Sequence, residues 1–171
     1  MPRYVAFLRG VMPTNCKMPA LKRCFERAGF TDVKTVLASG NVVFDARSRS
    51  EAALARACEA AMQQDLGRVF ATIVRPAPYL RELVDSDAWA RAGVPAHAKR
   101  VITFLRDPLD APPALPIERD GARIVATNGR EVFSAYLPTP RGPVFMTLLE
   151  QTFGDRVTTR TVDTVRRCAN A

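Results

Sequence analysis

The chain has 171 residues, 47% of them hydrophobic and 25% charged, which fits one globular domain or two small units sharing an interface. No apolar run approaches the roughly 20 residues of a membrane-spanning helix, and "MPRYVAFLRG" meets Arg9 before a signal-length apolar segment develops, so a cytoplasmic protein with no membrane partner is expected. The net charge of +8 is uneven, with 9 basic and 3 acidic side chains in residues 1–50, 5 and 6 in 51–98, and 11 and 8 in 99–171.

In chain order, Tyr4 to Leu8 is a short, nearly continuous apolar run of the kind a strand buried on both faces carries. After the loop "RGVMPTNCKM", Pro19 opens a helix with Leu21, Cys24, Phe25 and Ala28 at helical spacing. Gly29 is placed to end it left-handed, and Phe30 to pack back on Phe25. Val33 to Ala38 and Asn41 to Phe44 read as two strands, with Ser39-Gly40-Asn41 as a tight hairpin turn between them. Ser48 and Glu51 form a capping box for a second helix, striped by Leu54, Ala57, Cys58, Ala61 and Met62 and closed by Gly67. Arg68 to Val74 reads as a fourth strand. The order strand, helix, strand, strand, helix, strand is the split βαβ, or ferredoxin-like, pattern over residues 1–75.

Residues 76–98 carry a short helix between proline-marked ends and read as a connection to a second, smaller α+β unit, 99–171. That unit begins with a strand at Arg100 to Leu105 and continues through a proline-rich surface loop, "DPLDAPPALPIERD". In "ARIVATNGREVFSAYL", Asn128-Gly129 offers the two positive backbone angles of a two-residue hairpin. Helices around Val144 to Phe153 and from about Thr161 to Ala169 end the chain. The expected fold class is α+β.

Three polar clusters fall at element ends: Arg9-Gly10 after the first strand, Ser39-Gly40-Asn41, and "TTRTVDT" (Thr158 to Thr164), which opens the last helix. Polar groups anchored on rigid elements suit binding, and a hydroxyl-rich helix start beside Arg160 could hold an anion on its free N–H groups. Each cluster has a plainer reading: a solvated strand end, a turn, and an N-cap at Thr159 or Thr161. The basic first third could mark phosphate contact, but Arg outnumbers Lys 21 to 4 in an alanine-rich chain, a compositional bias that accounts for the excess equally well.

Cys16, Cys24, Cys58 and Cys168 are scattered, with no C-x-x-C pair and only His97 as a further soft ligand, so no metal site is expected. Cys24, Cys58 and Cys168 fall on apolar helix faces. Cys16, beside Lys17, reads either as an exposed thiol of lowered pKa or as an incidental loop cysteine. Nothing in the sequence pairs His97 with Ser39 for nucleophilic catalysis, no phosphate-binding loop or dinucleotide fingerprint occurs, and no cofactor is expected. An RNA-stacking surface is disfavoured, because the third strand would present Asn41 and Val43 where stacking rings belong.

Taken together, "YVAFLRGVM", "KMPALKRCFERAGFTDVKTVLASGNVVF" and "TTRTVDTV" resemble the bacterial Domain of Unknown Function 1697 family, whose members look like "LLRGINVGG", "MaeLraLleelGFtnVrTyiqSGNVvF" and "TtRNwnTv". Matching signature positions are Leu8, Arg9, Gly10, Lys17, Gly29, Phe30, Ser39, Gly40, Asn41, Thr159, Arg160 and Thr164. The family's "NVGG" is "MPTN" here, and the asparagine and tryptophan after the arginine are Thr161 and Val162, which puts any family ligand site at those places in doubt. The resemblance implies a two-part α+β fold and no established activity.

The site expected from these residues is polar and basic: Arg9, Gly10, Lys17, Ser39, Gly40, Asn41, Thr159, Arg160 and Thr164. An anionic or phosphate-bearing small molecule is the first ligand class. Nucleic acid held by charge and a purely architectural or protein-interaction role are the alternatives. No catalytic residue is named.

Overall fold

The computed structural model describes residues 1–138 and 144–171 and divides the chain into two compact units: Met1–Val84 together with Arg166–Ala171, and Asp85–Val165. Both are mixed α/β, each built on one antiparallel sheet, with six helices among the described residues. The division departs from the expected 1–75, 76–98 and 99–171, because the final residues rejoin the first unit. There Arg3 Nε donates to the Ala171 carbonyl (2.9 Å) and an Arg81 guanidinium nitrogen to that of Ala169 (2.8 Å).

The first unit runs β1 (Arg3–Leu8), α1 (Met18–Arg27), β2 (Thr31–Thr35), β3 (Asn41–Asp45), α2 (Glu51–Leu66), β4 (Thr72–Pro76) and α3 (Ala77–Val84), with sheet order β2-β3-β1-β4. β1 is central, antiparallel to β3 (Phe7 opposite Asn41) and to β4 (Leu8 opposite Thr72). Its side chains alternate between faces, and both faces are buried, which is why the run Tyr4 to Leu8 is apolar throughout. Tyr4, Ala6 and Leu8 share a core with Leu21, Cys24 and Phe25 of α1 and Leu54, Cys58 and Met62 of α2. Phe25, Phe30 and Phe44 meet there with ring centroids 4.4 to 5.9 Å apart, contacts each worth about 0.5–1.5 kcal/mol beyond area burial.

Helix ends follow local chemistry closely. α1 has its proline in the first turn, and at its far end Gly29, at φ 94°, donates to Glu26 while Phe30 donates to Phe25, the paired bonds of a Schellman ending. α2 begins two residues later than the Ser48–Glu51 box implies: Ser50 is the cap, its hydroxyl accepting from Ala53 N at 3.1 Å, and Glu51 stands in the first turn where the helix dipole favours it. β4 starts at Thr72 rather than Arg68 because β1, ending at Leu8, offers ladder partners only from there back. Residues 68–71 are therefore loop.

The second unit contains α4 (Ala88–Arg91), β5 (Lys99–Leu105), β6 (Ile117–Arg119), β7 (Ala122–Thr127), β8 (Glu131–Tyr136), α5 (Val144–Phe153), β9 (Val157–Thr161) and the first turn of α6 (Val162–Ala169), with sheet order β6-β7-β8-β5-β9. Three expectations are corrected here. The stretch 76–98 holds two helices, α3 and α4, rather than one. The proline-rich segment ends in β6, a three-residue edge strand paired with β7. Thr158 to Thr161, read as the opening of the last helix, belong to β9, whose Thr159 lies opposite Thr103 of β5. Four β-branched residues among the five of "VTTRT" suit a strand, and the helix starts only at Val162.

Candidate functional site

Three loops meet at one end of the first sheet. β1 points its C-terminus there and continues into the β1–α1 loop (9–17), while the β2–β3 loop (36–40) and the α2–β4 loop (67–71) arrive on either side. Two backbone bonds tie them together: Leu8 N donates to the Gly40 carbonyl (2.8 Å) and Arg9 N to that of Ala71 (2.9 Å). Arg9, Gly10, Lys17, Ser39, Gly40 and Asn41 thereby gather at this end.

Gly40 and Asn41 build the loop. Gly40 is buried at φ 88°, and a Cβ there would lie 2.8 Å from Val11 Cγ2 and 3.0 Å from Leu8 Cβ, so glycine is demanded twice over. The fully buried Asn41 amide donates to the Val36 carbonyl (2.9 Å) and to the Ser39 hydroxyl (3.1 Å). The expected tight turn is thus a wider loop: β2 stops at Thr35 because Leu37 turns left-handed at φ 59° and leaves the sheet. Asn41 is already the first residue of β3, and Ser39 stays exposed with its hydroxyl held from below.

The β1–α1 loop is closed by Asn15, which stands where the family pattern has its last glycine. Its Oδ1 accepts from Met12 N (2.8 Å) and its Nδ2 donates to the Gly10 carbonyl (2.9 Å), so side-chain bonds supply the closure. Lys17 is exposed at the N-cap of α1, its ammonium 3.2 Å from the Pro13 carbonyl. Arg9 is half-buried, and Gly10 is exposed.

Arg68 belongs to this end too. It was hidden in the sequence by the reading of 68–74 as strand, although its place directly after the helix-ending Gly67 was a loop signal. Its guanidinium covers the Phe70 ring at 4.9 Å from the centroid and lies within electrostatic reach of Cys16. Loops 9–17, 36–40 and 67–71 together carry Arg9, Lys17 and Arg68 and no aspartate or glutamate.

Cys16 is buried, and its thiol is raised above the usual value by desolvation, which outweighs the lowering effect of Arg68; the exposed, activated thiol is ruled out. Burial pushes Cys24 up to about 11, with Asp65 adding to the effect, and raises Cys58 further still. These thiols pack as small hydrophobes. Among the described residues no group of three or more His, Cys, Asp or Glu is arranged to hold a metal.

Thr159, Arg160 and Thr164 form a second group, in the second unit. Thr159 on β9 shares a hydroxyl bond with the buried Thr103 (2.9 Å), and an Arg160 guanidinium nitrogen donates to the Thr159 carbonyl (3.0 Å). The cap of α6 is Thr161, whose hydroxyl accepts from Thr164 N at 3.3 Å and donates to the Thr164 hydroxyl at 3.1 Å. Thr159 and Arg160 are thus strand residues, and the anion-holding helix start expected around them is withdrawn. Concavities occur elsewhere: one of about 360 Å³ beside Val94, Arg123 and Tyr136, another of about 540 Å³ beside Phe30, Arg47 and Arg49.

Two antiparallel sheets, each with its own helices, define a mixed α/β protein of two units, and among the described residues no helix is long and apolar enough to cross a membrane. The conserved bacterial protein SP0830 from Streptococcus pneumoniae is similar in structure with a TM-score of 0.74, over 99% of this chain and 97% of that one, at 18% identity, a likeness of fold alone. The chain belongs to the family described as "Protein of unknown function (DUF1697)", which matches residues 1–133. The "TTRTVDTV" segment lies beyond that match. No curated protein matches the chain.

Proposed function

We propose that the three-loop end of the first sheet binds an anionic, phosphate-bearing ligand, with Arg9, Lys17 and Arg68 supplying charge and Ser39 a hydroxyl oriented by Asn41. The observation that carries this reading is the gathering of three cations on loops whose own sequences contain no carboxylate, two of them, Lys17 and Arg68, exposed. Thr159, Arg160 and Thr164, each engaged in strand or cap bonds, are left out of the site. We also assign the first unit to the ferredoxin-like arrangement; supporting this are its element order, the sheet order β2-β3-β1-β4, and α1 and α2 sharing one core with β1.

The test is a thermal-shift series with inorganic phosphate, pyrophosphate and glycerol phosphate on the wild type, Arg9→Ala and Arg68→Ala. A ligand at about a hundred times its Kd stabilises by about 2.7 kcal/mol, a rise of roughly 5–10 °C for a chain of this size. The expected result is such a rise in wild type, diminished in both variants. No rise with any phosphate, or the same rise in the variants, removes the site.

A further inference from the structure

Five large apolar side chains stand exposed among the described residues, and three of them, Met12 (54%), Leu37 (49%) and Val69 (44%), occupy the three loops at this same end. Each loop carries one apolar tip. Arg9 and Lys17 flank Met12 in sequence, and Arg68 precedes Val69. Leu37 is the most telling, because a bulky side chain is held at φ 59°, where an L-residue is strained, and is then turned toward water. Folding rewards neither choice.

The chemistry of this surface discriminates among partners. A second copy of the chain docking through the same face would set Arg9, Lys17 and Arg68 against their own duplicates. A single-stranded nucleic acid would need exposed rings to stack on, and Phe70, the aromatic residue of these loops, is buried beneath Arg68. An anionic lipid surface meets both halves of the pattern. Its headgroup phosphates match the cations, the acyl boundary accepts apolar side chains, and a fluid interface moulds itself around tips carried on separate loops.

We infer that this end of the first sheet docks peripherally on an anionic lipid surface, with headgroup phosphates on Arg9, Lys17 and Arg68 and with Met12, Leu37 and Val69 sunk into the interface. The inference rests on the anion-binding reading above and specifies the source of the phosphate. It concerns contact with one leaflet and involves no spanning helix.

The experiment is co-sedimentation of the full chain with vesicles of phosphatidylcholine alone and of phosphatidylcholine containing one-third phosphatidylglycerol. Free glycerol phosphate and polyglutamate are run in parallel as soluble anions. Binding is expected only to the vesicles with phosphatidylglycerol, weakened about fivefold by Arg9→Ala and comparably by Met12→Ser and by Leu37→Asn. The last of these relieves the left-handed strain and should fold at least as well as wild type. Leu137→Asn, removing an exposed leucine of the second unit, should leave binding unchanged. Vesicle binding indifferent to Met12→Ser and Leu37→Asn would be adsorption by charge and would overturn the docking while leaving the anion site standing. A thermal shift with glycerol phosphate but no vesicle binding would do the same. Polyglutamate binding without vesicle binding would assign the surface to an acidic protein and overturn the lipid. Failure with every anion would overturn both readings.

Discussion

Two connections, residues 36–40 in the first unit and 128–130 in the second, each join antiparallel strands with the help of an asparagine and a glycine, yet they distribute strain differently. In the second, Asn128 Oδ1 accepts from Arg130 N (2.9 Å) and Glu131 N (2.7 Å), its Nδ2 reaches the buried Glu131 carboxylate (3.0 Å), and Gly129 at φ 89° has nothing within 4 Å of a would-be Cβ. Of that pair only Gly129 has a positive φ; Asn128 works through its side chain rather than through the left-handed backbone expected of it. In the first, the glycine is pressed against Leu8 and Val11, the asparagine is wholly buried, and a leucine occupies the left-handed position. The second loop reads as a connection optimised for stability. The first holds its glycine and asparagine for architecture and exposes a leucine that stability alone disfavours, which is the signature of a surface kept for contact.

The contrast can be broken most severely at Gly40. Gly40→Ala adds a Cβ in a left-handed position against two packed side chains and is expected to destabilise by about 2–4 kcal/mol. Gly129→Ala, with the same backbone angle and open space, should lose only about 1–2 kcal/mol. Urea unfolding of both variants decides it, and equal losses would mean that close packing around Gly40 is not what demands glycine.

Asn41→Asp comes next. A carboxylate cannot donate to the Val36 carbonyl and is repelled by it, so a loss of about 1–3 kcal/mol is expected by the same unfolding measurement. Asn128→Ala frees the Arg130 N–H to water but takes a partner from the N–H and carboxylate of the buried Glu131, so a comparable loss of about 1–3 kcal/mol is expected. The smallest effect has the opposite sign: Leu37→Asn should raise stability by up to about 1 kcal/mol, since asparagine tolerates the left-handed region. A fall in melting temperature for that variant would mean the leucine packs in the folded state, and would remove the argument that it is kept for contact.

Much of this was legible from local chemistry. The helix ending at Gly29 and Phe30, the α2 stripe through Leu54, Cys58 and Met62, and the buried strand at Tyr4 to Leu8 all appear where periodicity and terminal residues put them. So was the importance of Ser39-Gly40-Asn41, though its reading as a tight turn missed that Asn41 lies in the sheet. The boundary of β4 was not legible, because Arg68 to Val74 has strand character throughout and only the length of β1 decides where pairing begins. Arg68 went unnoticed as a loop cation for that reason. Nor was β9, since a hydroxyl-rich run before a helix looks like a cap until β5 is there to pair with it.

The sequence by itself determined the order of the first six elements, β1 to β4 with α1 and α2, together with the two apolar helix faces, the Schellman ending of α1, the cap of α2 to within two residues, and the basic first third. These depend on interactions between residues a few positions apart, which composition and spacing record directly. Tertiary structure alone decided which loops share the end of the first sheet, why Gly40 has no room for a side chain, that Cys16 is buried, and that Met12, Leu37 and Val69 stand exposed beside three cations. Each of those facts arises between segments distant along the chain that the antiparallel register of β1 with β3 and β4 brings together, and no local pattern encodes that register.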